Sequence, residues 1–107
     1  MTTQSNDTYN GWTNYETWNA NLWLDNDWQL SERIALITAD LFSSYEDTND
    51  ITHKLSDSIK ALFIDDMPEL VASFYSDMIS ASLSEVNFYE IASHFVENEL
   101  EAQELEA

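Results

Sequence analysis

Residues 11–28 read GWTNYETWNANLWLDNDW and contain all four tryptophans of the chain. Thr13 and Glu16 stand three residues apart, the spacing of a capping box, in which a hydroxyl and a carboxylate satisfy the free amides of a helix start. We therefore predict a helix that is capped by Thr13 and runs to about Leu24. The acidic segment Asp25–Asp27 can end this helix and cap the next one.

The apolar residues of this first helix lie on one side. The face consists of Tyr15, Trp18 and Leu22, with Trp23 beside them. An aromatic stripe on a helix is usually core, because each ring can bury about 150–250 Å². We therefore predict that Trp18 and Leu22 are core residues. Since Trp12, Trp23 and Trp28 cannot all share that face, we expect one or two of them to be exposed or to pack in a dimer interface.

Four further helices are predicted from apolar residues at spacings of three and four. Two cover about 28–45 and 51–64. A third has its start signal at Asp66–Glu69 and runs to about Ala81, and the last restarts at Ser82–Glu85 and frays towards Glu106. Their apolar positions are Leu30, Ile34, Ile37 and Leu41; Ile51, Leu55, Ile59 and Leu62; Leu70, Phe74, Met78 and Ala81; and Val86, Ile91, Phe95 and Val96.

The turn residues of the chain are too few for a β-sandwich or barrel, because the 107 residues include one glycine and one proline. The predicted fold class is therefore all-α, a small single-domain bundle of about five helices. Residues 1–10 are predicted to be a flexible N-terminal tail, and residues 11–107 the acidic helical domain.

The composition indicates a folded protein, since 44% of the residues are hydrophobic and 13% aromatic. The chain has no cysteine, which excludes disulfides, thiolate metal sites and cysteine nucleophiles. No apolar run reaches the ~18 residues that span a bilayer, and the polar start lacks the regions of a signal peptide. We expect a protein of the host-cell cytoplasm.

The charge is strongly one-sided, with 21 acidic and 3 basic residues and a net charge of −18. A small soluble domain ordinarily needs a net charge of only about 2–8 in magnitude. Such a surface repels nucleic acid and anionic membranes, so we expect neither as a direct partner and predict a basic protein partner instead. Adaptation to high salt, or solubility alone, is the alternative explanation.

Motifs that carry chemistry are missing from the sequence. A single glycine excludes loops that cradle phosphate. Asp25 opens a stretch that resembles a calcium loop, but Leu30 and Leu36 occupy the positions that need glycine and glutamate. His53 and His94 each lack a second histidine at metal-binding spacing. Acidic residues are too abundant to mark a catalytic pair, and no serine has a nucleophile-elbow context. We expect a non-enzymatic protein without cofactor or metal.

Acidic residues occur in every predicted helix and turn, and four of them recur on one side of the last helix. Residues four apart on a helix lie about 6 Å apart, near the spacing of phosphates along a DNA strand. A rigid acidic domain of this kind could occupy the basic channel of a nucleic-acid-binding protein. The alternative explanation of the C-terminal glutamates is a solvated, frayed helix end. The predicted partner-binding residues are Glu90, Glu97, Glu99, Glu101 and Glu104, followed by Glu46, Asp47, Asp50, Asp65 and Asp66.

A second functional hypothesis uses the tryptophans. Trp23 and Trp28 are candidate aromatic anchors, because exposed tryptophans often dominate the binding energy of protein interfaces. In this hypothesis the protein is a non-enzymatic interaction module that engages an apolar groove, and its acidity serves solubility.

Two parts of the chain carry a resemblance. Residues 11–18 (GWTNYETW) and 22–27 (LWLDND) resemble a signature of short acidic proteins of unknown function from phages, plasmids and some bacteria and archaea. Residues 75–78 (YSDM) and 81–92 (ASLSEVNFYEIA) resemble the later part of the same group. The association with mobile elements implies an anti-defence role. By charge and size the protein is similar to DNA-mimicking antirestriction and anti-CRISPR proteins, which implies a CRISPR effector or restriction enzyme as partner.

Overall fold

The protein is a small all-α single-domain bundle, as predicted. A computed structural model describes residues 8–65 and 74–106. In these ranges it has five helices: α1 (Tyr15–Asn26), α2 (Trp28–Ser44), α3 (Thr48–Asp65), α4 (Phe74–Ser84) and α5 (Phe88–Glu106). None of the helices in the described ranges has the length and apolar character that a membrane crossing needs.

The core lies where α2, α3 and α5 pack against one another, and α1 covers α2 and α5. Most of the apolar positions predicted for α2, α3 and α5 face this core, because residues three and four apart share one face of a helix. The buried core residues are Ala20, Leu24, Ile34, Ile51, Leu55, Ile59, Phe88, Ile91, Ala92 and Val96. Leu30, Ile37, Leu41, Leu62, Val86 and Phe95 are partly buried against them.

The predicted core face of α1 is wrong. The buried residues of this helix are Thr17, Ala20 and Leu24. Leu22 is 38% exposed, and Trp18 is only half-buried. Small residues let α1 approach α2 and α5 closely, whereas a bulky aromatic face would hold the helices apart.

Two aromatic residues of α1, Tyr15 and Trp18, form a cluster with Tyr9 instead. The Tyr9 ring lies 4.9 Å from that of Trp18 and 5.2 Å from that of Tyr15. Tyr9 reaches this position because its backbone pairs with that of Trp12 through two hydrogen bonds of 2.8 Å. Gly11, with φ of +88°, makes the tight turn between them.

Helix boundaries differ from the predictions at several places. The cap of α1 is Asn14 and not Thr13, because the Asn14 side chain accepts the Thr17 amide. Helix α3 begins at Thr48, three residues earlier than predicted. The Asp47 carboxylate stabilises this start because it accepts the Asn49 amide. Helix α4 continues to Ser84, and the predicted start signal at 66–69 lies outside the described residues.

The predicted apolar face of α4 is also wrong where it is described. Met78 is 52% exposed and Ala81 is exposed. No pair formed by α4 and another helix is among the closely packed pairs of the described residues. The core is therefore built by the other four helices.

The identity of the buried face of α1 can be tested with two leucines that lie two residues apart. Leu24 is 2% exposed and Leu22 is 38% exposed. We expect Leu24→Ala to lower the free energy of unfolding by about 2–5 kcal/mol, because it leaves a cavity, and Leu22→Ala to lower it by less than about 1 kcal/mol. Chemical denaturation of both variants measures the difference. A larger loss for Leu22→Ala would restore the face predicted from the sequence.

Candidate functional site

The acidic side chains form the surface of the protein. No aspartate or glutamate whose burial the structure describes is buried: Glu16, Glu90 and Glu99 are half-buried, and the others of this set are exposed. The carboxylates of the described residues are therefore presented to solvent and to any partner, in a chain whose net charge is −18.

The five α5 glutamates that are predicted to bind a partner comprise a row of three and two residues with other contacts. Glu97, Glu101 and Glu104 are exposed, and their spacings of four and three place them on one side of the helix. We name these three residues the α5 row. Glu90 continues the row towards the start of α5, but its Oε1 atom accepts the Thr13 amide at 2.9 Å. Glu90 is therefore engaged in the fold.

Glu99 lies on the side of α5 that faces α2. It lines a groove between these helices together with Glu32, Ala35 and Phe95. Its Oε2 atom accepts a hydrogen bond of 3.0 Å from Gln103. Glu99 is predicted to bind the same partner as the α5 row, but it presents its carboxylate in a different direction.

The other predicted acidic residues lie at the two ends of α3. Glu46, Asp47 and Asp50 are exposed at its start, and Asp65 is exposed at its last residue. Asp66 lies outside the described residues. The structure thus places the predicted contact residues in separate groups on the surface. A single flat partner surface would touch some of them, whereas a channel that surrounds the domain would touch all.

The two predicted aromatic anchors are the exposed tryptophans. Trp23 is 69% exposed and Trp28 is 68% exposed. They line one open hollow at the junction of α1 and α2, together with Asn26, Asp27 and Gln29. We name this feature the tryptophan hollow. Trp12 is more buried than these two residues, being half-buried, and its ring stacks on that of His94 at 4.2 Å between centroids.

A hydrogen-bond network that the sequence did not reveal joins the first turn of α1 to the first turn of α5. Asn14 and Asn87 are the caps of these two helices. The Thr17 hydroxyl accepts the Asn87 amide at 2.8 Å and donates to Asn14 Oδ1 at 2.6 Å. The Asn14 side chain donates to the carbonyl oxygen of Glu85 at 2.7 Å. Each cap is thereby completed by the other segment.

This network, which we name the cap network, also includes Thr13 and Glu90. It brings together the two stretches that carry the resemblance, although they are about 70 residues apart in the chain. The spacing of Asn87 and Glu90 is a capping signal. This spacing indicates that α5 begins at Phe88, later than the predicted restart at Ser82–Glu85, but it does not indicate a partner in another segment. The cap network is part of the scaffold that holds the start of α1 against the start of α5.

The described residues contain no group of three or more histidines, aspartates and glutamates that could hold a metal ion. His53 stacks on Tyr89 at 4.7 Å between ring centroids, and His94 stacks on Trp12. Both histidines are thus engaged with aromatic rings. The features of the described surface that match the two functional hypotheses are the exposed carboxylates and the two exposed indole rings.

Comparisons with known proteins give a family but no activity. The model of a family of unknown function, DUF7249, matches residues 5–104. No curated protein and no solved structure matches the chain. Because the match extends over nearly the whole chain, the protein belongs to the DUF7249 family.

Proposed function

We propose that the protein is a non-enzymatic anti-defence inhibitor that acts as a DNA mimic. It occupies the basic nucleic-acid-binding surface of a CRISPR effector or a restriction enzyme in the cytoplasm of the host cell. The observation that carries the proposal is a net charge of −18 in a chain whose described carboxylates lie exposed or half-buried around a packed helical body. A partner whose surface binds phosphates would bind such a body by the same electrostatic attraction.

The density of charge supports a nucleic-acid mimic. The longest dimension of the protein is 51 Å, and its net charge is −18, which gives about one charge per 3 Å. Duplex DNA carries about one charge per 1.7 Å of its axis, and each single strand about one per 3.4 Å. The linear charge density of the protein therefore lies between that of a single strand and that of a duplex, and its net charge is far above the about 2–8 of an ordinary small domain.

The charges on α5 destabilise the helix, which indicates that they are present for a function and not for stability. The last turn of α5 contains no basic residue, although cations are preferred at the C-terminal end of a helix. Like charges four residues apart, such as Glu97 and Glu101, destabilise a helix by a few tenths of a kcal/mol. Binding to a basic partner would remove this repulsion.

A second candidate function is that of an interaction module that uses the tryptophan hollow. The observation in its favour is that both rings are about two-thirds exposed, which is unusual for residues of this size. In this function the partner offers an apolar groove, and its binding would be almost independent of salt. An enzyme, by contrast, would lose activity when one or two carboxylates are changed.

Capture of partners from a host lysate on the immobilised protein, with stepwise increases in salt, distinguishes these functions. We expect one nucleic-acid-binding protein to be retained at low salt, to elute as salt screens the carboxylates, and to be displaced by added DNA. A chain of the same composition in scrambled order controls for retention by charge alone. A partner that resists both salt and DNA would contradict mimicry and favour the interaction module.

A further inference from the structure

The tryptophan hollow combines aromatic rings with carboxylates, which an apolar docking site does not need. Asp27 lies between Trp23 and Trp28 in the sequence and lines the same hollow. Asp25 is exposed on the preceding turn, where its Oδ2 atom accepts a hydrogen bond from Asn21. An apolar partner would bury the Asp27 carboxylate with only the Leu30 amide to compensate its charge, which is costly. A positively charged occupant would supply the missing compensation.

We propose that the tryptophan hollow binds an arginine side chain of the basic partner. A guanidinium group stacks on the face of an indole ring and donates hydrogen bonds in a fork that matches a carboxylate. Trp23, Trp28 and Asp27 line the hollow, so their indole rings and carboxylate are the groups that would make these two contacts. A lysine ammonium group is a compact charge without a planar face, so it fits the same site less well.

The local structure holds these groups in place. Asp27 is the single residue between α1 and α2, and its Oδ1 atom caps α2 by accepting the Leu30 amide at 3.1 Å. Leu24 and Ile34 anchor the two helices in the core on either side of this junction. A carboxylate has about four acceptor sites, so the cap leaves acceptor capacity for a guanidinium.

The choice of partner rests on the proposed function, which it deepens. Proteins that bind nucleic acids use arginine both to neutralise phosphates and to stack on bases. An acidic surface alone copies only the phosphates. The tryptophan hollow adds exposed aromatic faces beside carboxylates, and so offers an arginine the two contacts that a nucleic acid offers.

Binding of oligoarginine and oligolysine peptides of equal length to the full-length protein tests the proposal. Isothermal titration calorimetry at low salt should give an affinity for oligoarginine roughly 3- to 10-fold higher than for oligolysine. The Trp23→Ala, Trp28→Ala double variant keeps the net charge. It should bind both peptides with the affinity that the wild-type protein has for oligolysine. Asp27→Asn keeps the helix cap, because asparagine caps as well as aspartate, and it should lower the affinity for oligoarginine several-fold.

Leu36→Ala is the matched control, since Leu36 is 64% exposed and lies outside the tryptophan hollow. It should leave the preference for arginine unchanged. The proposal is overturned if the double variant retains the arginine preference while circular dichroism shows native helicity. It is also overturned if the wild-type protein dimerises in sedimentation experiments and the double variant does not, because a second copy would then occupy the hollow.

The outcome is separable from that of the proposed function. If oligoarginine is preferred but no nucleic-acid-binding protein is captured from the lysate, the hollow is an arginine site and DNA mimicry fails. If the defence protein is captured and displaced by DNA, but the double variant behaves as the wild-type protein does, mimicry stands and the arginine site fails.

Discussion

Reversal of the α5 row, by changing Glu97, Glu101 and Glu104 to lysine, is expected to abolish inhibition of the defence enzyme. The net charge would change from −18 to −12, because each reversal adds two units to the charge of the wild-type protein. Like charges placed against each other at an interface cost several kcal/mol, so we expect the affinity to fall at least ~100-fold. A cleavage assay with the captured enzyme and its DNA substrate measures the inhibition.

The same variant should remain folded, which separates loss of binding from loss of structure. All three side chains are exposed, and none belongs to the core. Lysines in the last turns of α5 would interact favourably with the helix dipole and would lower the net negative charge of the domain, which reduces its self-repulsion. We therefore expect a melting temperature equal to or above that of the wild-type protein. Glu90 is left unchanged because it accepts the Thr13 amide.

A second triple variant controls for net charge. Asp40, Asp57 and Glu85 are exposed and lie on α2, on α3 and after α4. Their change to lysine gives the same net charge of −12, calculated from the same wild-type value of −18. A smaller loss of inhibition than for the α5 row would locate the interface on α5. Equal losses would show that inhibition depends on the total charge and not on the α5 row. Full inhibition by both variants would disprove mimicry.

The sequence predicts the fold well where burial follows apolar spacing. Ile34 on α2, Ile51, Leu55 and Ile59 on α3, and Ile91 on α5 are fully buried, as their spacing indicates. The spacing fails on α1, because the buried face contains Thr17 and Ala20. A threonine is buried when another segment supplies its hydrogen-bond partner, and the sequence of one helix does not contain that information.

The candidate site, like the fold, can be predicted from the sequence only in part. Helical spacing places Glu97, Glu101 and Glu104 on one side of α5 without knowledge of the fold. It cannot separate Glu90 from them, because the partner of Glu90 is Thr13, 77 residues away. It also cannot show that Trp23 and Trp28 are the exposed tryptophans, since this depends on which face of α1 packs against α2 and α5.

The cap network should dominate the stability of the α1–α5 contact. Thr17→Val keeps the shape of a fully buried side chain but removes the hydroxyl that accepts the Asn87 amide and donates to Asn14. The Asn87 amide would be left without this acceptor in a partly buried position, which costs more than a hydrogen bond contributes. We expect a loss of about 2–3 kcal/mol and a melting temperature lower by about 10 °C. Thermal unfolding followed by circular dichroism measures this change.

Thr38→Val is the matched control, because Thr38 is 1% exposed and its hydroxyl donates to the Ile34 carbonyl within its own helix. That carbonyl is already the acceptor of a backbone amide in α2, so removal of the hydroxyl leaves no group unpaired. The stability of this variant should stay within about 0.5 kcal/mol of the wild-type value. Equal melting temperatures for the two variants would show that the cap network contributes little to the fold. If Thr17→Val then lost partner binding without loss of stability, the network itself, and not the acidic surface, would be the functional site.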